Sequence, residues 1–301
     1  MGQARSHDST QAKVERAIWL DWRHAEVPDL APDARIYLGH ETCEHLLPTL
    51  GQTLRFLKRV DHDRGRALAL VTPFLTDAGL SAARSLIAEL LAQWGELEIV
   101  CNDWGLLWDL ACERVGRLAV GRLLAGQSLD PRIDGMLTGL PAKPGPGSPG
   151  TMVRHMDGTG CLLRHRAPSA DLATHFRAVS VDREGLGAFL ATHGIGRCEI
   201  SYPRQGLCTS GQQWAYTLHR PWIPLSVLRC QTPSPRAGVG NRQCPCSPSE
   251  EILRSPDFPV SLVQRDNVLG YCEHASLPDA ALAALGIDRI VEPCALSFGR
   301  A

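Results

Sequence analysis

The hydrophobic residues of the chain fall into two alternating patterns. Short, nearly continuous apolar runs are separated by longer stretches in which apolar residues recur at helical spacing, as in 76–95. Eight of the apolar runs predict strands, at 17–22, 35–39, 66–73, 96–103, 117–124, 176–181, 197–203 and 222–229. Runs without polar alternation are typical of strands buried on both faces, and their alternation with helices predicts a parallel sheet.

Eight strand–helix units predict an α/β fold, a TIM-barrel-like (β/α)8 barrel, with an open doubly wound sheet as the alternative. The barrel is expected to occupy 17–230, after a flexible N-terminal tail at 1–16. Residues 125–175 lack a clear helical pattern and predict a long insertion after strand 5, which suits a lid or a partner-binding segment. Residues 231–301 predict a cysteine loop and a small C-terminal extension that packs on the barrel.

Composition and charge narrow the classes of function. The chain of 301 residues is 44% hydrophobic and 21% charged, which is typical of a globular protein. A formal net charge of -1 argues against a nucleic-acid partner, although a basic patch around Arg229, Arg236 and Arg242 would favour RNA. We expect no membrane span, because no run of eighteen apolar residues occurs, and a cytoplasmic location, because the N-terminus lacks the apolar region of a secretory signal.

The eleven cysteines are the most informative residues. In a cytoplasmic protein they are expected to stay reduced, and most are expected to be small buried side chains. Three of them, Cys230, Cys244 and Cys246, lie in "RCQTPSPRAGVGNRQCPCSPSEE" after the predicted eighth strand, and Cys43 follows the second. Because strands eight, one and two are neighbours in a closed barrel, these four thiols are predicted to meet at the carboxyl face. Four thiols favour a soft cation, and the residues alone leave an iron–sulfur cluster and zinc both open.

The same stretches carry a resemblance to a known family. The run "RIYLGHETC" before a helix, and much later Cys-x₁₃-Cys-x-Cys after a strand, resemble UbiV-like members of the collagenase-like peptidase U-32 family. The segments "ALALVTPFLT", "EIVCNDWGLL" and "LGIDRIV" are similar to the wider family. The resemblance implies a TIM-barrel-like core and a [4Fe–4S] cluster held by Cys43, Cys230, Cys244 and Cys246. The family normally has three residues between its last two cysteines, whereas Pro245 alone separates them here, so Cys208 is an alternative fourth ligand.

The resemblance also implies a function. UbiV-like proteins act with a UbiU-like partner subunit in oxygen-independent hydroxylation during ubiquinone biosynthesis, so a heterodimer and a small aromatic or quinone-type substrate are expected. Other relatives hydroxylate RNA bases or are peptidases of the U-32 type. Two further alternatives are a zinc-stabilised or cluster-stabilised binding or scaffold protein and a peptidase, and the absence of a recognisable nucleophile–base pair disfavours the peptidase. Whether the chain is itself an enzyme is left open.

Polar residues near predicted strand ends are candidates for binding substrate. Asn102 and Asp103 follow the fourth strand, and Asp103 is favoured as a helix cap. Glu199 and Arg204 lie in and after the seventh strand. Four tryptophans are candidates for a planar pocket or for the core, namely Trp104, Trp108, Trp214 and Trp222.

Overall fold

The structure is a computed structural model. It describes residues 14–23, 30–31, 33–60, 66–138, 150–154, 160–164, 169–210, 213–227 and 250–294, with the backbone alone described in 150–154 and 160–164. The predicted tail at 1–16 lies almost entirely outside this part of the chain, and so do Cys230, Cys244 and Cys246.

The described residues from 14 to 120 form five parallel strands, three α-helices and a 3-10 turn at Glu44–Leu46. The strands are β1 (Glu15–Leu20), β2 (Arg35–Gly39), β3 (Leu68–Thr72), β4 (Glu98–Cys101) and β5 (Arg117–Val120). The helices are α1 (Leu50–Arg59), α2 (Asp77–Gln93) and α3 (Trp104–Glu113). Every residue of β3 and β4 is buried, which explains why these runs are apolar without alternation. Thr76 caps α2, because its hydroxyl accepts a hydrogen bond from the Gly79 amide.

The second part of the chain is more varied. After β5 come α4 (Arg132–Thr138), the hairpin β6 (Gly150–Arg154) and β7 (Gly160–Arg164), then α5 (Ala170–Arg177) and α6 (Glu184–Thr192). The elements that follow are β8 (Arg197–Ser201), β9 (Ala215–His219), β10 (Trp222–Val227), β11 (Glu250–Leu253), β12 (Leu262–Arg265), β13 (Val268–Cys272), α7 (Asp279–Ala284) and β14 (Ile287–Pro293). No helix in the described ranges has the length and apolar character that crossing a bilayer requires.

Eight parallel strands close into a barrel in the order β1-β14-β9-β8-β5-β4-β3-β2. The predicted α/β barrel is therefore confirmed, and the open sheet is not formed. Closure depends on β14, which pairs with β1 on one side and with β9 on the other. The barrel therefore extends to Pro293, well beyond the boundary predicted at 230.

Two of the eight segments predicted as barrel strands do not form strands of the barrel. In 176–181, Arg177 ends α5 and a single 3-10 turn begins at Ser180, so Val179 and Val181 are apolar because they pack against the core. The run at 222–229 contains β10, but β10 pairs antiparallel with β13 outside the barrel. Their places are taken by β9, which was not predicted as a strand, and by β14, whose run at 287–293 predicts a strand but was assigned to the C-terminal extension.

The strands β10, β13, β12 and β11 form a four-stranded antiparallel sheet, here called the cap sheet. It has its own small core around Ile223, Leu262 and Tyr271. The Tyr271 hydroxyl donates a 3.1 Å hydrogen bond to the Leu129 carbonyl, which ties the cap sheet to the segment after β5. The chain therefore leaves the barrel after β9, builds this sheet, and returns through α7 to complete the barrel with β14.

The interior of the barrel is only partly apolar. Small and aromatic side chains form an inner cluster, Ala17, Tyr37, Ala69, Val71, Val100, Ala119 and Val291. Buried polar and charged residues share this space, among them Glu98, Glu199, Thr217, His219 and Arg289. Buried charges are costly unless they are paired, so their arrangement is the first indication of a site.

Candidate functional site

A cavity of about 90 Å³ lies between the carboxyl ends of the barrel strands and the cap sheet. We call it the carboxyl-face cavity. Its walls come from the ends of β1, β2, β9 and β14, from Arg122 after β5, and from the cap sheet. Its aromatic, charged and histidine lining includes Trp19, His40, Glu41, Arg122, His219, Trp222 and Asp266. This is the face on which barrels of this kind carry their binding sites.

Gly39 directs the chain across this face. It has φ 116°, in the region that favours glycine, and a Cβ atom here would lie 2.1 Å from the Val71 carbonyl oxygen. The following amide, that of His40, donates a 3.1 Å hydrogen bond to the same carbonyl. The close approach of β2 and β3 thus requires glycine, and it places His40, Glu41 and Cys43 over the barrel mouth.

His219 and Glu199 form a buried pair at the inner end of the cavity. Nε2 of His219 is hydrogen-bonded to Oε2 of Glu199. The imidazole is also fixed edge-on by two rings, with centroid distances of 5.5 Å to Trp19 and 5.8 Å to Tyr37. His219 is the last residue of β9 and lines the cavity, whereas Glu199 in the middle of β8 is fully buried. The pair therefore connects the cavity with the barrel interior.

Burial keeps both members of this pair in their neutral forms. It raises the pKa of Glu199 to about 8, an effect that the Glu98 charge reinforces and the arginines nearby oppose. Burial also lowers the pKa of His219 well below its usual value, and the Arg122 charge acts in the same direction. At neutral pH the pair therefore holds two protons, one on the carboxyl group and one on the ring.

Below this pair, hydrogen bonds continue along the barrel axis. The Tyr37 hydroxyl donates to Oε1 of Glu199 at 3.1 Å and accepts from Nη1 of Arg289 at 2.8 Å. Arg289 is also paired with the buried Glu98 and donates to Glu15 at 2.7 Å. An unbroken chain of polar contacts thus joins the cavity to the amino end of the barrel.

Arg122 joins the barrel mouth to the cap sheet. Its guanidinium donates to both carboxylate oxygens of Glu41, at 2.7 and 2.5 Å, and to the Trp222 carbonyl at 2.8 Å. Although burial alone would raise the pKa of Glu41, the Arg122 charge lowers it, so this carboxylate is ionised. The bidentate pair fixes one wall of the cavity.

The turn between β12 and β13 forms the opposite wall. Asp266 accepts hydrogen bonds from Arg23 at 2.9 and 3.0 Å and lies 3.4 Å from Nε2 of His40. Asn267 exchanges two hydrogen bonds with Thr42, one to its amide oxygen at 2.8 Å and one from its amide nitrogen at 3.1 Å. The turn is thereby docked on the residue that precedes Cys43.

The predicted cysteine ligands are only partly described. Cys43 is buried, and its amide donates to Nδ1 of His40 at 3.2 Å. Within the described ranges no group of three or more His, Cys, Asp or Glu residues is arranged to hold a metal ion. The alternative ligand Cys208 is exposed and precedes Thr209, whose hydroxyl donates to the carbonyl of Leu285 at the amino end of β14. Cys208 therefore lies towards the opposite end of the barrel from Cys43.

The cap sheet also positions both ends of the segment that carries the other three cysteines. Val227, the last residue of β10, pairs with Val268, and Glu250, the first of β11, pairs with Arg265. Val268 and Arg265 flank the turn that is docked on Thr42. The residues before and after 228–249 are therefore anchored beside the turn that contacts the neighbour of Cys43.

The other predicted site residues have different roles. Asn102 is buried and connects backbone groups, donating to the Thr72 carbonyl and accepting from the Leu123 amide, both at 3.0 Å. Asp103 caps α3 through the Leu106 amide, as favoured from the sequence. Arg204 lies 3.6 Å from Glu273, a residue just after β13. Of the four substrate candidates, only Glu199 belongs to the cavity site.

The residues predicted from the sequence include only some of the tryptophan and histidine side chains that line the cavity. Of the four tryptophans considered, Trp222 lines the cavity, Trp214 is buried elsewhere, and Trp104 and Trp108 are exposed on α3. Trp19 and His219, which sequence reasoning missed, lie in the cavity wall. His219 could have been selected as a site residue from its place at the end of the strand "AYTLH", but this strand was not predicted.

Comparison with known proteins adds no relative: no family model, no curated protein and no solved structure matches the chain.

Proposed function

We propose that the protein is an iron–sulfur protein that carries out or supports the oxygen-independent hydroxylation of a small aromatic or quinone-type molecule. Cys43, Cys230, Cys244 and Cys246 would hold a [4Fe–4S] cluster, and a UbiU-like partner subunit would complete the active complex. The observation that supports this most directly is the anchoring of both ends of 228–249 beside the turn docked on Thr42.

The donor set suits the proposed group. Thiolates are the usual ligands of iron–sulfur clusters, and a buried position beside a cavity limits solvent access. Cys230 is three residues beyond Val227 and Cys246 four residues before Glu250, so each has a reach of roughly 10–15 Å from an anchored strand end. A reach of this length would let both thiols approach the turn docked on Thr42, the residue before Cys43.

The residues of the cavity supply the remaining parts of such a site. When bound, the cluster would accept electrons from the molecule being hydroxylated or activate the oxygen donor. Trp19 and Trp222 offer aromatic surfaces for a planar ring, and Arg122 with Glu41 fixes the wall beside them. The cap sheet contributes Trp222 and the turn around Asp266 to the wall of this cavity.

Anaerobic purification of the full chain, followed by measurement of iron, sulfide and zinc, tests the proposal. We expect about four irons and four sulfides per chain. Replacing Cys43, Cys230, Cys244 or Cys246 by Ala should lower this content, whereas Cys112→Ala, at an exposed thiol on α3, should not. Finding one zinc and no iron per chain would indicate a structural metal site and refute the redox function. Finding no metal would refute both the cluster and the zinc site.

A further inference from the structure

We propose that Glu199 and His219 form a proton-donating pair for the carbonyl oxygen of a small aromatic ligand bound in the carboxyl-face cavity. In this site His219 directs Nδ1 to the ligand and receives a proton from Glu199 at Nε2. Neither Glu199 nor His219 is a thiol, so their role is separate from the proposed cluster and does not depend on it.

The main observation is at the edge of the His219 ring that bears Nδ1. Its Nε2 is engaged by Glu199, while Nδ1 makes no hydrogen bond to the described residues and is not among their enclosed atoms that lack a partner. The residue is 4% exposed, and it lines the cavity. A ring held on one side by a carboxyl group and open on the other to a cavity is the arrangement that general acids and bases use.

The neutral state of the pair decides the direction of proton transfer. Since burial raises the pKa of Glu199, its carboxyl O–H donates to Nε2 at neutral pH, and the ring proton lies on Nδ1. In the resting complex Nδ1–H donates a hydrogen bond to the ligand oxygen; as negative charge develops on that oxygen, the Nδ1 proton moves to it and the carboxyl proton moves to Nε2. The imidazole stays neutral throughout, and the negative charge ends on Glu199.

The barrel interior is arranged to accept that charge. The Tyr37 hydroxyl already donates to Glu199 and is itself held by Arg289. The ionisable groups that act on the pair are Tyr37, Glu41, Glu98, Arg122, Arg197 and Arg289. The arginines among them favour the carboxylate form, so the pair can release its proton in spite of its burial.

The shape of the cavity indicates the class of ligand. The cavity of about 90 Å³ is partly open to solvent, and Trp19 and Trp222 supply aromatic walls, so a small planar ligand suits it. The charged groups of the walls are largely paired with each other, Arg122 with Glu41 and Arg23 with Asp266. A neutral ligand that accepts one hydrogen bond therefore suits the site better than an ion.

Calorimetric titration of the full chain with acetophenone tests the inference, because this aromatic ketone accepts hydrogen bonds and does not ionise. Above about pH 8 Glu199 loses its proton, the ring proton moves to Nε2, and Nδ1 presents a lone pair to the carbonyl. We expect the affinity to be constant below pH 8 and to fall about tenfold per pH unit above it. Glu199→Gln should still bind, because its amide donates to Nε2, but without this pH dependence.

Two further variants complete the test. His219→Gln should weaken binding about tenfold, whereas His193→Gln, at a partly exposed histidine outside the cavity, should bind like the wild type. Histidine ring nitrogen NMR should show His219 protonated at Nδ1 at pH 7 and at Nε2 above pH 8. Absence of acetophenone binding, pH-independent binding by the wild type, or pH dependence that persists in Glu199→Gln would each overturn the inference, whatever the iron content.

Discussion

Replacing Arg289 by Met should destabilise the protein strongly. Arg289 is 2% exposed and donates hydrogen bonds to Glu98, Glu15 and the Tyr37 hydroxyl. Methionine fills a similar volume and supplies none of these donors. The variant would therefore leave the buried carboxylate of Glu98 with Arg197 alone, whose Nε lies 3.8 Å away.

The size of the effect follows from this loss of a partner. Removing one member of a buried ion pair costs about 3–5 kcal/mol, because the remaining charge is left without compensation in a medium of low polarity. Glu15 should contribute little, since it is partly exposed and keeps a 2.7 Å hydrogen bond from Arg35. The expected loss is a large share of the 5–15 kcal/mol that is typical for folded proteins.

Urea denaturation followed by circular dichroism measures the change. We expect the midpoint to fall by on the order of 1 M or more. The double variant Arg289→Met, Glu98→Met should recover most of the lost stability, because it removes both charges. A single variant within about 1 kcal/mol of the wild type would refute the reasoning, and so would a double variant no more stable than the single one.

Two other substitutions test the site locally. Gly39→Ala combines a φ of 116° with a Cβ 2.1 Å from the Val71 carbonyl oxygen. Thermal unfolding should therefore show that the variant loses about 3 kcal/mol or more of stability. The control Gly95→Ala, with no atom within 4 Å of its Cβ, should change the stability little. Glu199 has a folded pKa of about 8, raised by burial above 4.5, so its contribution to stability is complete below about pH 4.5 and is lost as the pH rises to 8. The unfolding free energy of Glu199→Gln should accordingly rise relative to the wild type across that window, and a constant difference between pH 5 and 8 would contradict this assignment.

The fold class could be predicted because buried parallel strands are apolar at nearly every position. The runs at 66–73 and 96–103 correspond to β3 and β4, in which all residues are buried. The same rule failed for β9, which carries Thr217 and His219 into the barrel interior. The run of β14 does predict a strand, but its charged residues, Arg289 among them, did not mark it as one of the buried barrel strands.

The site was predicted in part for a related reason. The carboxyl face was expected from the barrel fold, and Glu199 was selected because a carboxylate inside a strand needs an explanation. The partners of Glu199 could not be inferred from the sequence. Tyr37 lies 162 residues away from Glu199, and Arg289 is connected to Glu199 through Tyr37. Contacts of that separation are produced by barrel closure and carry no local pattern.

Barrel closure also has a consequence for biosynthesis. Strand β1 pairs with β14, and Arg289 reaches Glu15 across 274 residues. During translation, β1 and β9 therefore remain open edges until β14 has left the ribosome, and such edges can pair with other chains. The cap sheet, whose strands pair with each other, can form before that moment. Completion of the barrel is thus a late event, because β14 is the last of its strands to be made, and until then a chaperone or a partner chain could bind the open gap between β1 and β9.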